Sequence, residues 1–226
     1  MGKLRKRSHS KKIGHKIGEV KMTIYLHCEG FTDYAVIPHI LQKALNINDL
    51  DIQWITRDML KKVKTYRKSN ISISGHYKLI KSLATYSLLH NCKYIVYHQD
   101  GDNNYSENYN KIVCEFIPLK QIGFNCLAVV PKETIESWLL SDENAYPLKP
   151  SNPKLPLNPE DLWGQRNDSN SNHPKNIFSK VLKQFNLIDN RDTYAQIAEK
   201  INIEILENKC PISFGQFKKD TLDFLK

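Results

Sequence analysis

Four runs of β-forming residues recur along this chain, and stretches with helical spacing separate them. That alternation limits the fold more than any other feature. The runs cover residues 22–27 (MTIYLH), 51–56 (DIQWIT), 94–97 (YIVY) and 124–130 (FNCLAVV). The third and fourth are almost wholly apolar, as strands buried on both faces are. Between them lie Tyr34, Ile37, Ile40, Leu41 and Leu45, then Tyr77, Leu79, Ile80, Leu83, Leu88 and Leu89, then Tyr109, Ile112, Val113, Phe116 and Ile117, each set at helical spacing. Strand followed by helix, repeated four times, is the pattern of a parallel sheet. The expectation is an α/β fold: a mostly parallel four-stranded sheet flanked by helices over residues 21–141. Pro38 interrupts the first helical run, and either sits in its first turn or kinks it.

The ends of these strands carry the chemistry. The third run breaks into His98-Gln99-Asp100-Gly101-Asp102, the first into Cys28-Glu29-Gly30-Phe31-Thr32-Asp33, and the fourth into Pro131-Lys132-Glu133-Thr134-Ile135-Glu136. In open α/β sheets, ligands sit at the carboxyl ends of strands. If the first and third strands are neighbours, Glu29, Asp100 and Asp102 converge and offer oxygens to a hard cation. Glu133 and Glu136 are three apart, so one helix face can carry both. Each feature also has a plainer meaning. Asp-Gly-Asp-Asn-Asn suits a polar turn, and Glu133 and Glu136 suit a helix N-terminus. Asp33 reads as a helix-start residue ahead of a ligand, Trp138 and Trp163 read as core, and His173 as a loop residue.

Charge is unevenly distributed. Residues 1–21 hold eight Lys or Arg against one Glu, and residues 57–81 hold eight against one Asp. The whole chain carries only +9, so the remainder is net acidic. Two basic stretches beside an acidic centre suit a polyanion held near a cation site, although a solvated tail and loop would look the same. Residues 1–20 have too few apolar residues to pack and read as a disordered basic arm. Tyr66 is the only ring in residues 57–74, so Lys61, Lys62, Lys64, Arg67 and Lys68 are expected to contact phosphates rather than bases.

The remaining composition excludes several classes. No apolar run approaches a membrane span and no secretory signal heads the chain. Five cysteines without a CxxC pair suggest reduced thiols in a cytoplasmic protein, not a zinc site. No GxxxxGK[ST] stretch is present, so the chain is not itself an ATPase of that type. Beyond residue 141 comes a segment with five prolines between Pro147 and Pro159. Helical patterns follow over residues 175–186 and 193–206, with Phe214, Phe217, Leu222 and Leu225 at the end. Residues 142–226 are expected to form a Pro-rich connection and a mostly helical extension, either packed on the sheet domain or acting as a lid.

An apolar strand ending in Glu29-Gly30, with a later strand ending in Asp100-Gly101-Asp102, resembles the TOPRIM fold of topoisomerases, bacterial primases and OLD-type nucleases. The segment ETIESWLL (residues 133–140) and Cys210-Pro211-Ile212-Ser213-Phe214 extend the likeness to a little-characterised bacterial family with that fold, often encoded beside ABC-type ATPases and in some cases serving in phage defence. The resemblance implies a metal-dependent nuclease using Mg²⁺ or Mn²⁺. Glu29, Asp100 and Asp102 would be the ligands. Glu133 or Glu136 would complete a second ion or act as base, His98 would be a ligand or base, and Lys132 would stabilise phosphate charge. Nucleic acid, DNA ahead of RNA, is the implied partner, with an ABC-type ATPase beside it and no membrane. One departure stands out: if the acidic cluster starts at His98, a softer imidazole replaces the usual first carboxylate and favours Mn²⁺ or a later metal. The alternative is therefore a catalytically impaired nucleic-acid-binding or regulatory subunit of an ATPase complex. Nucleotidyl transfer ranks third.

Overall fold

The computed structural model describes residues 22–63, 75–147 and 154–226. The basic arm over residues 1–20, and Lys64, Arg67 and Lys68, lie outside the described residues.

The four apolar runs form the strands β1 (Thr23–His27), β2 (Asp51–Trp54), β3 (Tyr94–His98) and β4 (Asn125–Val129). They make one sheet in the order β2-β1-β3-β4, and every pairing is parallel. Side chains alternate across it as the two-residue repeat of a strand requires. Ile24, Leu26, Val96, Leu127 and Val129 enter one apolar cluster, while Tyr25, Ile95, Tyr97, Cys126 and Ala128 enter the other. A sheet buried on both faces needs strands that are apolar on both, and these are.

Helices α1 (Phe31–Leu45), α2 (Arg57–Lys61), α3 (Gly75–Leu89) and α4 (Tyr105–Gln121) follow β1, β2 and β3. The second cluster lies beneath α2, α3 and α4, and α1 covers the first. Helix α1 begins at Gly30, whose N–H is accepted by the Asp33 carboxylate at 3.0 Å, and runs through Pro38 to Leu45. Pro38 therefore stands in the helix interior, beyond the first turn.

After β4 come α5 (Ile135–Leu139), α6 (Pro174–Gln184), α7 (Arg191–Lys200), α8 (Ile203–Lys209) and α9 (Ser213–Phe224). The helical pattern expected over residues 193–206 divides because Asn202 caps a new helix. Its side-chain oxygen accepts the N–H groups of Glu204 and Ile205. These helices are not a lid. Phe178, Phe214 and Phe217 share the first cluster with Ile24, Leu26 and α1, so residues 142–226 complete the cover of one sheet face. Lys43 of α1 donates to the carbonyls of Ala198 and Ile201, the end of α7, which satisfies acceptors a helix terminus leaves open. All five cysteines are free. Among the described residues, no helix is long and apolar enough to cross a membrane.

The strand order fixes where a site can form. The chain moves from β1 outward to β2, then returns to the other side of β1 for β3 and β4. Connections leave β1 and β3 in opposite directions, which opens a crevice outside their carboxyl ends.

Candidate active site at the strand ends

His98, the last residue of β3, lies in that crevice. It is 1 % exposed, and neither ring nitrogen has a hydrogen-bond partner. Its Nδ1 stands 3.7 Å from Asp33 Oδ2 and its Nε2 stands 3.5 Å from Asp100 Oδ1. Both approaches are ion-pair contacts, too long or poorly aligned to be good hydrogen bonds. Burial favours a neutral ring, but Asp33, Asp100 and Glu29 outweigh it and hold His98 above its ordinary pKa. Only the imidazolium presents N–H groups toward both carboxylates.

Asp100 also meets Lys175, with Nζ 3.4 Å from Oδ2. Burial alone would raise the Asp100 carboxyl, yet His98 and Lys175 pull it below the usual carboxylate range. Lys175 in turn is drawn up by Glu136 and Asp100 against its own burial. Glu136, only 3 % exposed, accepts the Tyr194 hydroxyl at 3.4 Å on Oε1, and its Oε2 has no partner. The Thr134 hydroxyl beside it is likewise unpartnered. Burial raises the Glu136 carboxyl above its ordinary value.

The loop after β3 is clipped to the loop after β4. The N–H groups of Gly101 and Asp102 donate to the Glu133 carbonyl at 2.9 and 3.2 Å, and the Asn103 N–H donates to Glu133 Oε2 at 2.8 Å. Asp102 and Asn103 take the left-handed conformation, with φ of 45° and 65°, which Asp and Asn tolerate better than most residues. Asp100, Asp102 and Glu133 are thereby gathered closely enough to repel. Asp102 is raised by partial burial and by the Asp100 charge. Glu133 is raised by burial and by both aspartates, against the Asn103 N–H that lowers it. His173 caps α6, its Nδ1 accepting the Lys175 N–H at 3.2 Å, and turns Nε2 toward Glu133 Oε1 at 3.9 Å. Burial and nearby cations lower its pKa, so the ring is neutral with the proton on Nε2.

The residues singled out in sequence thus divide. His98, Asp100, Asp102, Glu133 and Glu136 come together. Glu29 stands on the rim with its side chain 53 % exposed, 3.9 Å from Arg57, and acts on His98 only through its charge. Lys132 is turned away to Asp161, at 2.9 Å. Lys61 pairs with Asp58 on α2, and Lys62 ends that helix. Asp33 does start a helix, and it also faces His98. His173 lies in the loop just before α6, as expected, but it is buried and caps that helix. Trp138 is core, fully buried, whereas Trp163 is 69 % exposed. Lys175 went unrecognised in sequence. A His-Pro pair ahead of Phe178, Val181 and Leu182 marks a helix start, but nothing local aims that start at the end of β3.

The buried side-chain atoms without partners, among the described residues, are His98 Nδ1 and Nε2, Asp100 Oδ1, Thr134 Oγ1 and Glu136 Oε2. They belong to the end of β3 and to the start of α5, which follows β4. Buried polar atoms are nearly always paired, so a concentration of unpaired ones marks a place kept for a ligand or for chemistry. Three mutually repelling carboxylates suit a hard divalent cation in their donor chemistry. Among the described residues, however, no three His, Cys, Asp or Glu side chains form a ready-made metal cluster, and His98 and Lys175 supply the positive charge at Asp100. No family model, curated protein or solved structure matches this chain.

Proposed function

We propose that this crevice hydrolyses phosphodiester bonds of nucleic acid with the help of a divalent ion, Mg²⁺ or Mn²⁺. The observation carrying this reading is the convergence of Asp100, Asp102 and Glu133 where the loops after β3 and β4 interlock, beside the residues that hold every unpartnered buried side-chain atom of the described residues. Asp100, Asp102 and Glu133 would hold the ion, with Glu133 in the place that sequence reasoning gave to Glu29. Such an ion supplies charge neutralisation at the scissile phosphate and a more acidic bound water.

The chain's own residues have distinct parts. Lys175, part-buried and beside Asp100, offers a cation to the phosphate oxygens in a site of reduced water content. It is better placed than Lys132, which is turned away from the site toward Asp161. Glu133, which would help to hold the ion, also lines a cavity that opens beside the crevice. Glu136, buried nearby, adds its charge to that of Asp100 in keeping Lys175 protonated. His98, gripped between Asp33 and Asp100, fixes the carboxylate of Asp100. Arg57 and Lys61 leave the carboxyl end of β2 on the same edge of the sheet, where they can meet a phosphate backbone. The TOPRIM likeness and an ATPase partner belong to the same proposal, on sequence resemblance alone.

A second reading has an observation of its own. His98 and Lys175 already balance the charge of Asp100, and no ready-made metal cluster is present among the described residues, as a binding or regulatory subunit with an impaired site would have it. Calorimetric titration of Mg²⁺ and Mn²⁺ into wild type and Asp100→Asn, with cleavage of plasmid and single-stranded DNA on the same samples, separates the two. The hydrolase is expected to bind metal and cut, and Asp100→Asn to lose at least about 100-fold in rate. A wild-type protein that binds nucleic acid but neither metal nor cuts would overturn the hydrolase in favour of the regulatory subunit.

A further inference from the structure

A cavity of about 470 Å³ opens beside Glu133, between the start of α4 and the turn Pro159–Asp161. That is room for one nucleotide-sized group. Its walls are unlike those of the crevice. Trp163, Leu162, Tyr105 and Ile212 give it flat and apolar surface, while Asn103 and Asn104 bring amides to its edge. Its charges are mostly answered within the protein. Lys132 binds Asp161, Lys111 pairs with Glu107, and both oxygens of Glu160 accept the N–H groups of Ile212 and Ser213. What remains for a ligand is an indole face, a phenol ring and amides that both donate and accept. The Asn104 side chain makes no cap to α4.

The exposure of Trp163 is built into the loop. The preceding turn is anchored by Glu160 to the start of α9, and by Lys209, which donates to the Leu157 carbonyl at 2.9 Å. At Gly164, just after the indole, a side chain would meet Ser171 Cβ at 2.9 Å. A large ring on a loop pinned at both ends, beside a cavity that shares Glu133 with the crevice, can receive a planar group without first being ordered.

We infer that this cavity is a nucleobase pocket with Trp163 as its stacking platform, and that the substrate is therefore single-stranded nucleic acid. The base lies against Trp163 and offers its polar edge to Asn103 and Asn104. Its phosphate then falls toward Glu133 and the Asp100–Lys175 pair. Bases of an intact duplex are stacked on one another and cannot enter. Stacking on an aromatic side chain tolerates any base, so the pocket selects strandedness and not sequence. The inference deepens the hydrolase reading and rests on it for the fate of the phosphate, but not for binding.

The test is titration of a short labelled single-stranded deoxyoligonucleotide with the full chain in EDTA, read by anisotropy and by tryptophan emission. Wild type is expected to bind, with quenching. Trp163→Ala is expected to lose the quench and bind about ten-fold more weakly, and Trp163→Phe to stay within about three-fold of wild type. Equal affinities for wild type and Trp163→Ala would overturn the pocket, and so would the absence of binding by wild type. Because metal is excluded, the two readings fail separately. Trp163-dependent binding by a protein that cuts nothing when Mn²⁺ is restored keeps the pocket and removes the hydrolase. Cutting by a protein whose binding ignores Trp163 does the reverse.

Discussion

At Gly101 a side chain would have nowhere to go: a Cβ there would lie 2.2 Å from the Lys132 carbonyl oxygen and 2.5 Å from that of Pro131. The glycine between the two aspartates is thus required by the closeness of the β4 loop, which is also what brings Glu133 to Asp100 and Asp102. Glu136 shows the opposite situation, a carboxylate kept where it is costly. Burial lifts its carboxyl above the ordinary value of 4.5, Lys175 only partly opposes this, and Oε2 has no partner. The folded state then binds more protons than the unfolded one as pH rises from that value toward the raised folded pKa, so stability falls across that window. Glu136→Gln removes the ionisable group, keeps an acceptor for Tyr194 and leaves Lys175 its contact with Asp100. Urea denaturation is expected to find it more stable than wild type at pH 7, on the order of 1 kcal/mol. The difference should vanish below pH 4.5. Catalysis, which uses Lys175, is expected to suffer, the usual exchange of stability for function.

Among the elements, α9 explains two motifs that sequence alone presented as separate. Cys210-Pro211-Ile212-Ser213-Phe214 leads into the first turn of α9, and ETIESWLL contains α5. The two meet: Trp138 Nε1 donates to Ser213 Oγ at 3.0 Å, Phe214 packs edge-on against the indole at 5.2 Å, and the Cys210 thiol points to the Ser137 carbonyl at 3.8 Å. Residues about seventy positions apart are held in one joint, whose amides are closed by Glu160. Removing that carboxylate leaves two N–H groups, one of them on the buried Ser213, without acceptors. Glu160→Ala is expected to destabilise the fold by about 2 kcal/mol in urea titrations. Asp161→Ala, which breaks only an exposed pair with Lys132, should change it by less than about 0.5 kcal/mol. Equal effects would mean that the cap contributes little.

For the molecule as a whole, parallel strands send every strand end to one edge, so the acidic crevice, the base pocket and the start of the basic connection after β2, at Arg57–Lys61, share it. Neutralising Lys61 and Lys62 together with Lys64, Arg67 and Lys68 is expected to weaken nucleic-acid binding and to flatten the slope of log K against log salt. Each lost phosphate contact should remove about 0.7 from the slope on a single strand; an unchanged slope removes this stretch from the interface. The four strands, the parallel sheet and the acidic strand ends were legible in the chain because they are local: apolar runs of strand length, helical spacing between them, and Gly and Asp where a run stops. The register of the site was not. Glu29 and Asp102 look equivalent in sequence, yet one pairs with Arg57 on the rim and the other joins Asp100 and Glu133, because the loops after β3 and β4 interlock and the loop after β1 does not. Lys175, His173 and Trp163 come from a region whose sequence shows only helix caps, prolines and polar linkers. Helices α6 to α9 had to cover one face of the sheet before those residues could reach its edge. By itself the sequence determined the layers and the edge at which ligands gather. Tertiary structure decided which charges face each other there, since that depends on contacts between segments 30 to 75 residues apart that no local pattern encodes.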